Sequence, residues 1–95
     1  MPAYVIADID VHDATKFEDY KKLSGPSGAR FGAKYLVRGG KVEGLEGSWL
    51  PKRFVVIEFP SVEQAKAWWN SQAYGEAKGI RQSCATSNFI LVEGA

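Results

Sequence analysis

The sequence predicts an α+β fold whose elements follow one another in the order β-α-β-β-α-β. Two observations lead to this prediction. Four segments alternate apolar and polar residues or are continuously apolar, which is typical of strands, and two regions repeat apolar residues at helical spacing. The chain has 95 residues, of which 45% are hydrophobic and 24% are charged. This length and composition suit one modest core, so we expect a single domain over residues 1–95.

The first strand is predicted over Tyr4–Val11, where β-branched residues alternate with others. One face of this strand carries Val5, Ala7, Ile9 and Val11, and the other face carries Tyr4, Ile6, Asp8 and Asp10. Asp13 is placed to cap the helix that follows. Pro26 has no backbone N–H, so we expect the helix to break there and a short helical restart to end at Gly32.

The middle of the chain predicts two further strands. Lys34–Arg38 is the second strand, and Gly39 and Gly40 predict a tight hairpin turn because glycine tolerates positive φ. The glycine-rich stretch Lys41–Pro51 is expected to form a hairpin arm or excursion. Arg53–Phe59 is almost continuously apolar, which indicates a central strand.

The last third of the chain predicts a helix in two pieces and a final strand. Ser61 and Gln64 match a capping box that opens the helix. The apolar stripe of this helix places Trp69 in the core and leaves Trp68 more open. We expect the helix to end or step at Ser71, and the last strand to cover Phe89–Val92.

This order of elements, with right-handed crossovers, predicts a ferredoxin-like arrangement in which the helices cover one face of a four-stranded antiparallel sheet. The opposite face carries apolar residues on every strand. Such a face is not normally left in water, and a second copy of the chain would cover it. We therefore expect a homodimer formed through the open sheet face.

Composition excludes several partners and compartments. Twelve Lys and Arg against eleven Asp and Glu leave a net charge of +1, so neither nucleic-acid nor membrane binding is predicted. No apolar run approaches the ~20 residues that span a bilayer, and the start of the chain lacks a signal pattern, so we expect a cytoplasmic protein. Cys84 is the only cysteine and His12 the only histidine. We therefore expect no internal disulfide, no metal site and no other cofactor.

The strand directions bring polar side chains together at one end of the predicted sheet. Asp8 and Arg38 are the strongest candidates there for a functional pair. Arg38 would grip a substrate carboxylate while Asp8 orients it or acts as a base, or else the two form a structural ion pair at the dimer interface. Arg53 either joins Arg38 in a cationic pocket or extends into solvent.

Five other side chains complete the expected site. His12 titrates near neutral pH and is a candidate catalytic base, with an exposed loop position as the alternative. Trp49, Trp68 and Tyr74 are candidates to line a slot for a flat apolar substrate of about ten heavy atoms, with core packing as the alternative. Asn88 immediately precedes the last strand, at the same end of the sheet, and belongs to the same substrate-binding set.

Four segments resemble the domain of unknown function 1330 family, and they cover nearly the whole chain in the right order. They are Tyr4–Ile9, Tyr35–Gly40, Val55–Ser61 and Ile90–Gly94. Members of this family are similar to the dimeric α+β barrel superfamily. The resemblance implies a ferredoxin-like protomer that pairs through its sheet.

That superfamily includes cofactor-free monooxygenases of the antibiotic-biosynthesis type, haem-degrading enzymes and small isomerases. The resemblance therefore implies a cofactor-independent enzyme, monooxygenase- or isomerase-like, acting on a small, partly apolar anionic or aromatic substrate. The alternative is a non-catalytic ligand-binding or protein-interaction module. Two departures stand out: Ser61–Cys84 lacks the histidine that haem-degrading relatives use, and Ser24–Gly28 interrupts a first helix that usually continues further.

Overall fold

The computed structural model describes residues 1–95 and places four strands in one antiparallel sheet. The elements are β1 (Ala3–Val11), α1 (Ala14–Ser27), a 3₁₀ turn (Ala29–Phe31), β2 (Lys34–Arg38), β3 (Arg53–Phe59), α2 (Val62–Trp69), α3 (Gln72–Cys84) and β4 (Ala85–Glu93). The strand order is β2-β3-β1-β4, with every neighbouring pair antiparallel. The predicted α+β, ferredoxin-like fold is confirmed, including the division of the second helix.

Local signals at the helix starts behave as predicted. The Asp13 carboxylate accepts a hydrogen bond from the backbone N–H of Lys16 at 3.1 Å, and the Ser61 hydroxyl accepts one from Gln64 N–H at 3.1 Å. Each cap satisfies an N–H group that would otherwise have no partner in the first turn of the helix. These caps fix where α1 and α2 begin.

Three boundary predictions need correction. Helix α1 continues through Pro26 to Ser27, because Pro26 lies in the last turn, where its missing N–H removes a single hydrogen bond. Gly39 has the predicted positive φ of 75°, but the loop that it opens runs to the start of β3, so the predicted tight turn is wrong. Strand β4 begins at Ala85, four residues before the predicted start.

The core lies between the helices and one face of the sheet, which we call the helix face. The sheet contributes alternate residues of β1 and β3, namely Ala3, Val5, Ala7, Ile9, Val55, Ile57 and Phe59. The helices contribute Phe17, Tyr20, Ala65, Trp68, Tyr74, Ala77 and Cys84. The alternation follows from the period of two along a strand, which sends successive side chains to opposite faces.

The opposite side of the sheet, which we call the open face, has no helix over it. It carries Tyr4, Ile6, Asp8, Phe54, Val56, Glu58, Ile90 and Val92, all partly or well exposed in the single chain. Ile90 is 59% exposed, and Leu45 in the loop between β2 and β3 is 97% exposed. Separately, no helix combines the length and the apolar character needed to cross a membrane.

The neighbouring tryptophans of α2 occupy positions opposite to those predicted. Trp68 is 1% exposed, packs on Phe59 and Tyr74, and donates its indole N–H to the Ser27 hydroxyl at 3.0 Å. Trp69 is half-buried and lies beside Phe89. The stripe of α2 that enters the core therefore runs through Ala65 and Trp68.

This difference predicts unequal costs of truncation. Trp68→Ala should lower the free energy of unfolding by about 3–5 kcal/mol, because it leaves a large cavity in the core. Trp69→Ala is the matched control and should cost only about 1–2 kcal/mol, because its ring already contacts solvent. Urea denaturation followed by circular dichroism measures both values. Equal losses would contradict the placement of the two rings.

Candidate functional site

A bulge in strand β2 decides which face of the sheet carries Arg38. Lys34 pairs with Glu58 on the open face, and simple alternation from Lys34 would send Arg38 to that same face. The register shifts between Tyr35 and Val37, so that Arg38 pairs with Val55 on the helix face. The Arg38 guanidinium then lies 4.8 Å from the centre of the Tyr35 ring.

Asp8 lies on the open face and holds the loop between β2 and β3. Its carboxylate accepts hydrogen bonds from the Trp49 indole N–H at 3.1 Å and from the Lys52 backbone N–H at 3.0 Å. The Trp49 ring also meets the edge of Phe54, with ring centres 6.2 Å apart. Asp8 thus ties the end of a long loop to the sheet.

The structure does not bring together the residues of the predicted polar site. Asp8 and Arg38 lie on opposite faces of the sheet, so they form neither the predicted clamp nor an ion pair. His12 is exposed and lies 2.7 Å from the Thr86 hydroxyl. Asn88 is exposed on the open face, opposite Asp8 in the register.

The predicted aromatic slot is also filled. Trp68 and Tyr74 are both fully buried, and the Tyr74 hydroxyl lies 3.0 Å from the Tyr20 hydroxyl, within hydrogen-bond distance. Trp49 lies apart from them on the open face. These contacts make Trp68 and Tyr74 part of the core and leave no space between them and Arg38 for ten heavy atoms.

Arg38 and Arg53 do meet, on the helix face, around a small cavity of about 20 Å³ that we call the arginine cavity. That volume holds one water-sized group. The lining residues come from α1 and from all four strands: Ile9, Tyr20, Lys21, Ser24, Tyr35, Arg38, Arg53, Val55, Ile57 and Phe89. Arg38 and Arg53 therefore line the same small cavity.

A third guanidinium, that of Arg81, lies behind this cavity and contacts two of its lining residues, Tyr20 and Phe89. Arg81 is 4% exposed, and its guanidinium lies 4.2 Å from the centre of the Phe89 ring and 6.0 Å from that of Tyr20. Its Nη1 donates a hydrogen bond to the Ser87 hydroxyl. The Nε atoms of Arg81 and Arg53 are both buried without a hydrogen-bond partner.

None of these three arginines has a carboxylate partner. The only ion pair in the chain joins Lys21 to Glu18 at 2.6 Å, near the rim of the cavity. Aromatic rings provide part of the missing stabilisation, since the Arg53 guanidinium also lies 5.3 Å from the centre of the Phe17 ring. Arg81 is buried and Arg53 is half-buried, whereas Arg38 is exposed. A buried cation whose Nε–H lacks an acceptor is costly, so Arg81 and Arg53 are electrostatically suited to an anion.

Two phenols beside the cavity, those of Tyr20 and Tyr35, are neutral hydroxyl groups. Burial raises the pKa of Tyr20, and the neighbouring Tyr74 hydroxyl raises it further. Burial also raises the pKa of Tyr35. Both groups therefore stay protonated at physiological pH.

A second, larger space lies next to the arginine cavity and is called here the apolar hollow. Its volume is about 260 Å³, close to the lower end, about 300 Å³, of small-molecule pockets. It is lined by Val5, Ala65, Lys66, Trp69, Phe89, Ile90 and Leu91. No carboxylate or imidazole lines this hollow or the arginine cavity.

Sequence reasoning missed Arg81, although a signal was present. The buried residues of α3 are Tyr74, Ala77, Arg81 and Cys84, which follow helical spacing. Of the residues of α3, the sequence singled out only Tyr74 and Cys84, because an arginine is ordinarily exposed. A charged residue on an apolar stripe is the feature that points to a buried cation.

No group of three or more His, Cys, Asp or Glu side chains is placed to hold a metal ion.

The sheet topology and the one-sided helices define a small α+β protein of the class that includes monooxygenase-type folds. SnoaB, a cofactor-independent oxygenase from Streptomyces nogalater, superposes with a TM-score of 0.71 at 13% identity, covering 99% of this chain and 93% of that chain. Within this class the chain belongs to the DUF1330 family, a domain of unknown function whose family model matches residues 2–95. The predicted family resemblance is confirmed.

A protein of unknown function from Rhodopseudomonas palustris is similar over the same extent. It superposes with a TM-score of 0.81 at 21% identity, and the match covers 99% of this chain and 82% of that chain. No curated protein matches the sequence. At these identities the structural neighbours show the shared fold alone. A fold does not determine chemistry, which depends on the side chains of this chain.

The two hydrogen bonds to Asp8 predict how the loop responds to mutation. Asp8→Ala should speed hydrogen exchange of the Lys52 amide about tenfold, or ~1.4 kcal/mol, because that N–H loses its acceptor. Asp10→Ala, two residues along the same face of β1, should leave the rate unchanged. Exchange measured by NMR tests both, and an unchanged Lys52 rate in the Asp8 variant would contradict the tether.

Proposed function

We propose that this protein binds a small, partly apolar anion on the helix face of its sheet and acts on it without a cofactor. The observation that carries the proposal is that Arg38 and Arg53 line one cavity and Arg81 contacts two of its lining residues, while none of the three has a carboxylate partner. Arg38 and Arg53 are the charged contacts from the expected site. Asp8, His12, Trp49 and Asn88 lie on the other face or outside this space, so the proposal assigns them no contact with the anion.

The charge balance of the site supports an anionic ligand. A guanidinium carries five N–H donors in a planar fork that matches a carboxylate. In the arginine cavity, the Arg53 Nε–H has no acceptor, and the side chain is half-buried. A carboxylate would supply the missing acceptors and the missing charge together, and because the cavity of about 20 Å³ holds one water-sized group, its side-chain walls have to move to admit it. Low water content around the site would strengthen this attraction.

The same groups limit the chemistry. Arginine and protonated tyrosine stabilise negative charge as it develops on a bound substrate, for example on an enolate or phenolate oxygen. Tyr20 and Tyr35 are the neutral donors beside the cavity. This arrangement suits a substrate that reacts as its anion, and the likeness in fold to a cofactor-independent oxygenase supports a reaction of that kind.

A second candidate function is binding without catalysis. It is favoured by one observation: neither the arginine cavity nor the apolar hollow is lined by a carboxylate or an imidazole that could accept a proton. Mass spectrometry of the compound that co-purifies with the protein separates the two. During aerobic incubation an oxygenase converts that compound to a product of higher mass and an isomerase to one of equal mass but different retention time, whereas a binding module returns it unchanged.

Benzoate and its neutral isostere benzamide test the proposed charge preference. Benzoate should shift the arginine Nε–Hε resonances in ¹H–¹⁵N spectra and bind at least tenfold more tightly than benzamide, since only the anion satisfies the guanidinium groups. Arg53→Met should remove that preference. Arg30→Met is the matched control, because Arg30 is exposed outside the cavity. Equal binding of the two compounds, or full benzoate affinity in the Arg53 variant, would refute the proposal.

We also propose that a second copy of the chain covers the open face. The Cα trace measures 34 × 33 × 16 Å, a thin slab with one broad side formed by the open face. Four strands about 4.8 Å apart and up to nine residues long give the sheet itself roughly 600 Å², so the neighbouring loop is needed to reach the ~800 Å² per partner of a stable interface. The exposed Leu45, Trp49 and Leu50 of the neighbouring loop would extend the same contact.

Ile6→Lys tests this arrangement. The substitution puts a charge at the centre of the open face, where Ile6 pairs with Val56 and Ile90, and should convert the dimer to a monomer. Leu23→Lys is the control, because Leu23 is exposed on α1 rather than on the sheet. Light scattering at micromolar concentration reports the mass. A monomeric parent protein would exclude the proposed dimer.

A further inference from the structure

Phe89 stands between the arginine cavity and the apolar hollow and forms part of the wall of both. We infer that the two spaces are halves of one binding site for an elongated, flat acid. The ring system would lie beside Trp69 in the hollow, and the carboxylate would pass Phe89 to reach Arg81. This inference rests on the proposed function and adds to it the position of the charge and the shape of the ligand.

Arg81 is the best-placed receptor for the carboxylate. It is 4% exposed, it carries an Nε–H with no acceptor, and the groups around its guanidinium are neutral: Ser87 and Phe89 from β4 and Tyr20 from α1. A buried charge surrounded by neutral groups interacts strongly with any anion that reaches it. Its planar fork also favours a carboxylate over a spherical ion.

The register of the sheet lets Arg81 share an anion with Arg53. Arg53 lies opposite Ile9 on β1, and Ile9 lies opposite Ser87 on β4. Arg81 donates a hydrogen bond to the Ser87 hydroxyl, so its guanidinium reaches this row of the sheet from helix α3 at the β4 side. Arg53 belongs to β3, two strand spacings or about 10 Å from β4. Both side chains are long enough to meet a carboxylate placed above Ile9.

The apolar hollow supplies the other half of the site. Trp69 and Phe89, with ring centres 5.4 Å apart, offer flat surfaces for an aromatic ring, and Leu91 adds an aliphatic wall. Lys66 is the only charged residue that lines the hollow, and it is exposed. Solvent screens an exposed ammonium group, so Lys66 is a weaker receptor for the acid than Arg81.

Phe89 controls the connection between the halves. Its ring is stacked against the Arg81 guanidinium and beside Trp69, and the side chain is half-buried on edge strand β4. An acid that reaches Arg81 from the hollow must move this ring to another rotamer. Removing the ring therefore joins the two spaces and lowers the cost of binding.

Biphenyl-4-carboxylate and its neutral carboxamide test the inference by isothermal titration calorimetry. The acid is long enough to use both halves, so it should bind at least tenfold more tightly than benzoate. Arg81→Met should weaken the acid at least tenfold and leave the carboxamide unchanged. Lys66→Met is the control and should change the acid affinity less than twofold. Phe89→Ala should strengthen binding of the acid at least fivefold.

Thermal melting first checks that the Arg81→Met protein is folded. If it is unfolded, the affinity of Phe89→Ala for the acid tests the inference instead. Acid affinity that is unchanged in the folded Arg81→Met protein, or not increased in Phe89→Ala, overturns the inference. If benzoate still binds through Arg53 in that case, the proposed function stands without it. If the parent protein does not distinguish benzoate from benzamide, the proposed function fails, and the inference fails with it.

Discussion

The alternation of side chains across a strand separates positive from negative charge through the thickness of the sheet. Asp8 and Glu58 lie on the open face, where they accept hydrogen bonds from Trp49 and Tyr4. Arg38 and Arg53 lie on the helix face, where Arg81 joins them from α3. Because a sheet holds each side chain on its own face, the acids cannot neutralise the arginines. The unpaired guanidinium groups follow from that separation.

Two backbone features complete the arrangement. The bulge in β2 turns Arg38 towards the helices, and Gly39 makes room for Arg53. A Cβ atom at Gly39 would lie 2.5 Å from Nη1 of Arg53, and the φ of 75° at this position is one that other residues adopt only with strain. The backbone thus departs from regular strand geometry at Leu36 and Gly39, beside the two cationic side chains of the helix face, Arg38 and Arg53. Departures of this kind are frequent beside functional sites.

The periodic patterns of the sequence were sufficient to predict the fold, and their failures have local causes. Strand β3 and the caps at Asp13 and Ser61 follow from residue types and spacing, which are visible in one sequence. The bulge at β2 is not visible in this way, and it is the reason that Asp8 and Arg38 were paired wrongly. Helix α2 has eight residues, about two turns, which is too short for its stripe to distinguish Trp68 from Trp69. The burial of Arg81 was not predicted, because burial of a charged side chain depends on tertiary packing.

We propose that the binding site for an anion lies on the helix face of the sheet. The most direct measurement is a crystal structure grown with 4-bromobenzoate, whose bromine is located by its anomalous scattering. We expect the carboxylate within hydrogen-bond distance of the Arg53 or Arg81 guanidinium, with the bromophenyl ring on the same side of the sheet. A ligand found solely on the Asp8 side of the sheet, with the helix face empty at saturating concentration, would contradict this position of the binding site.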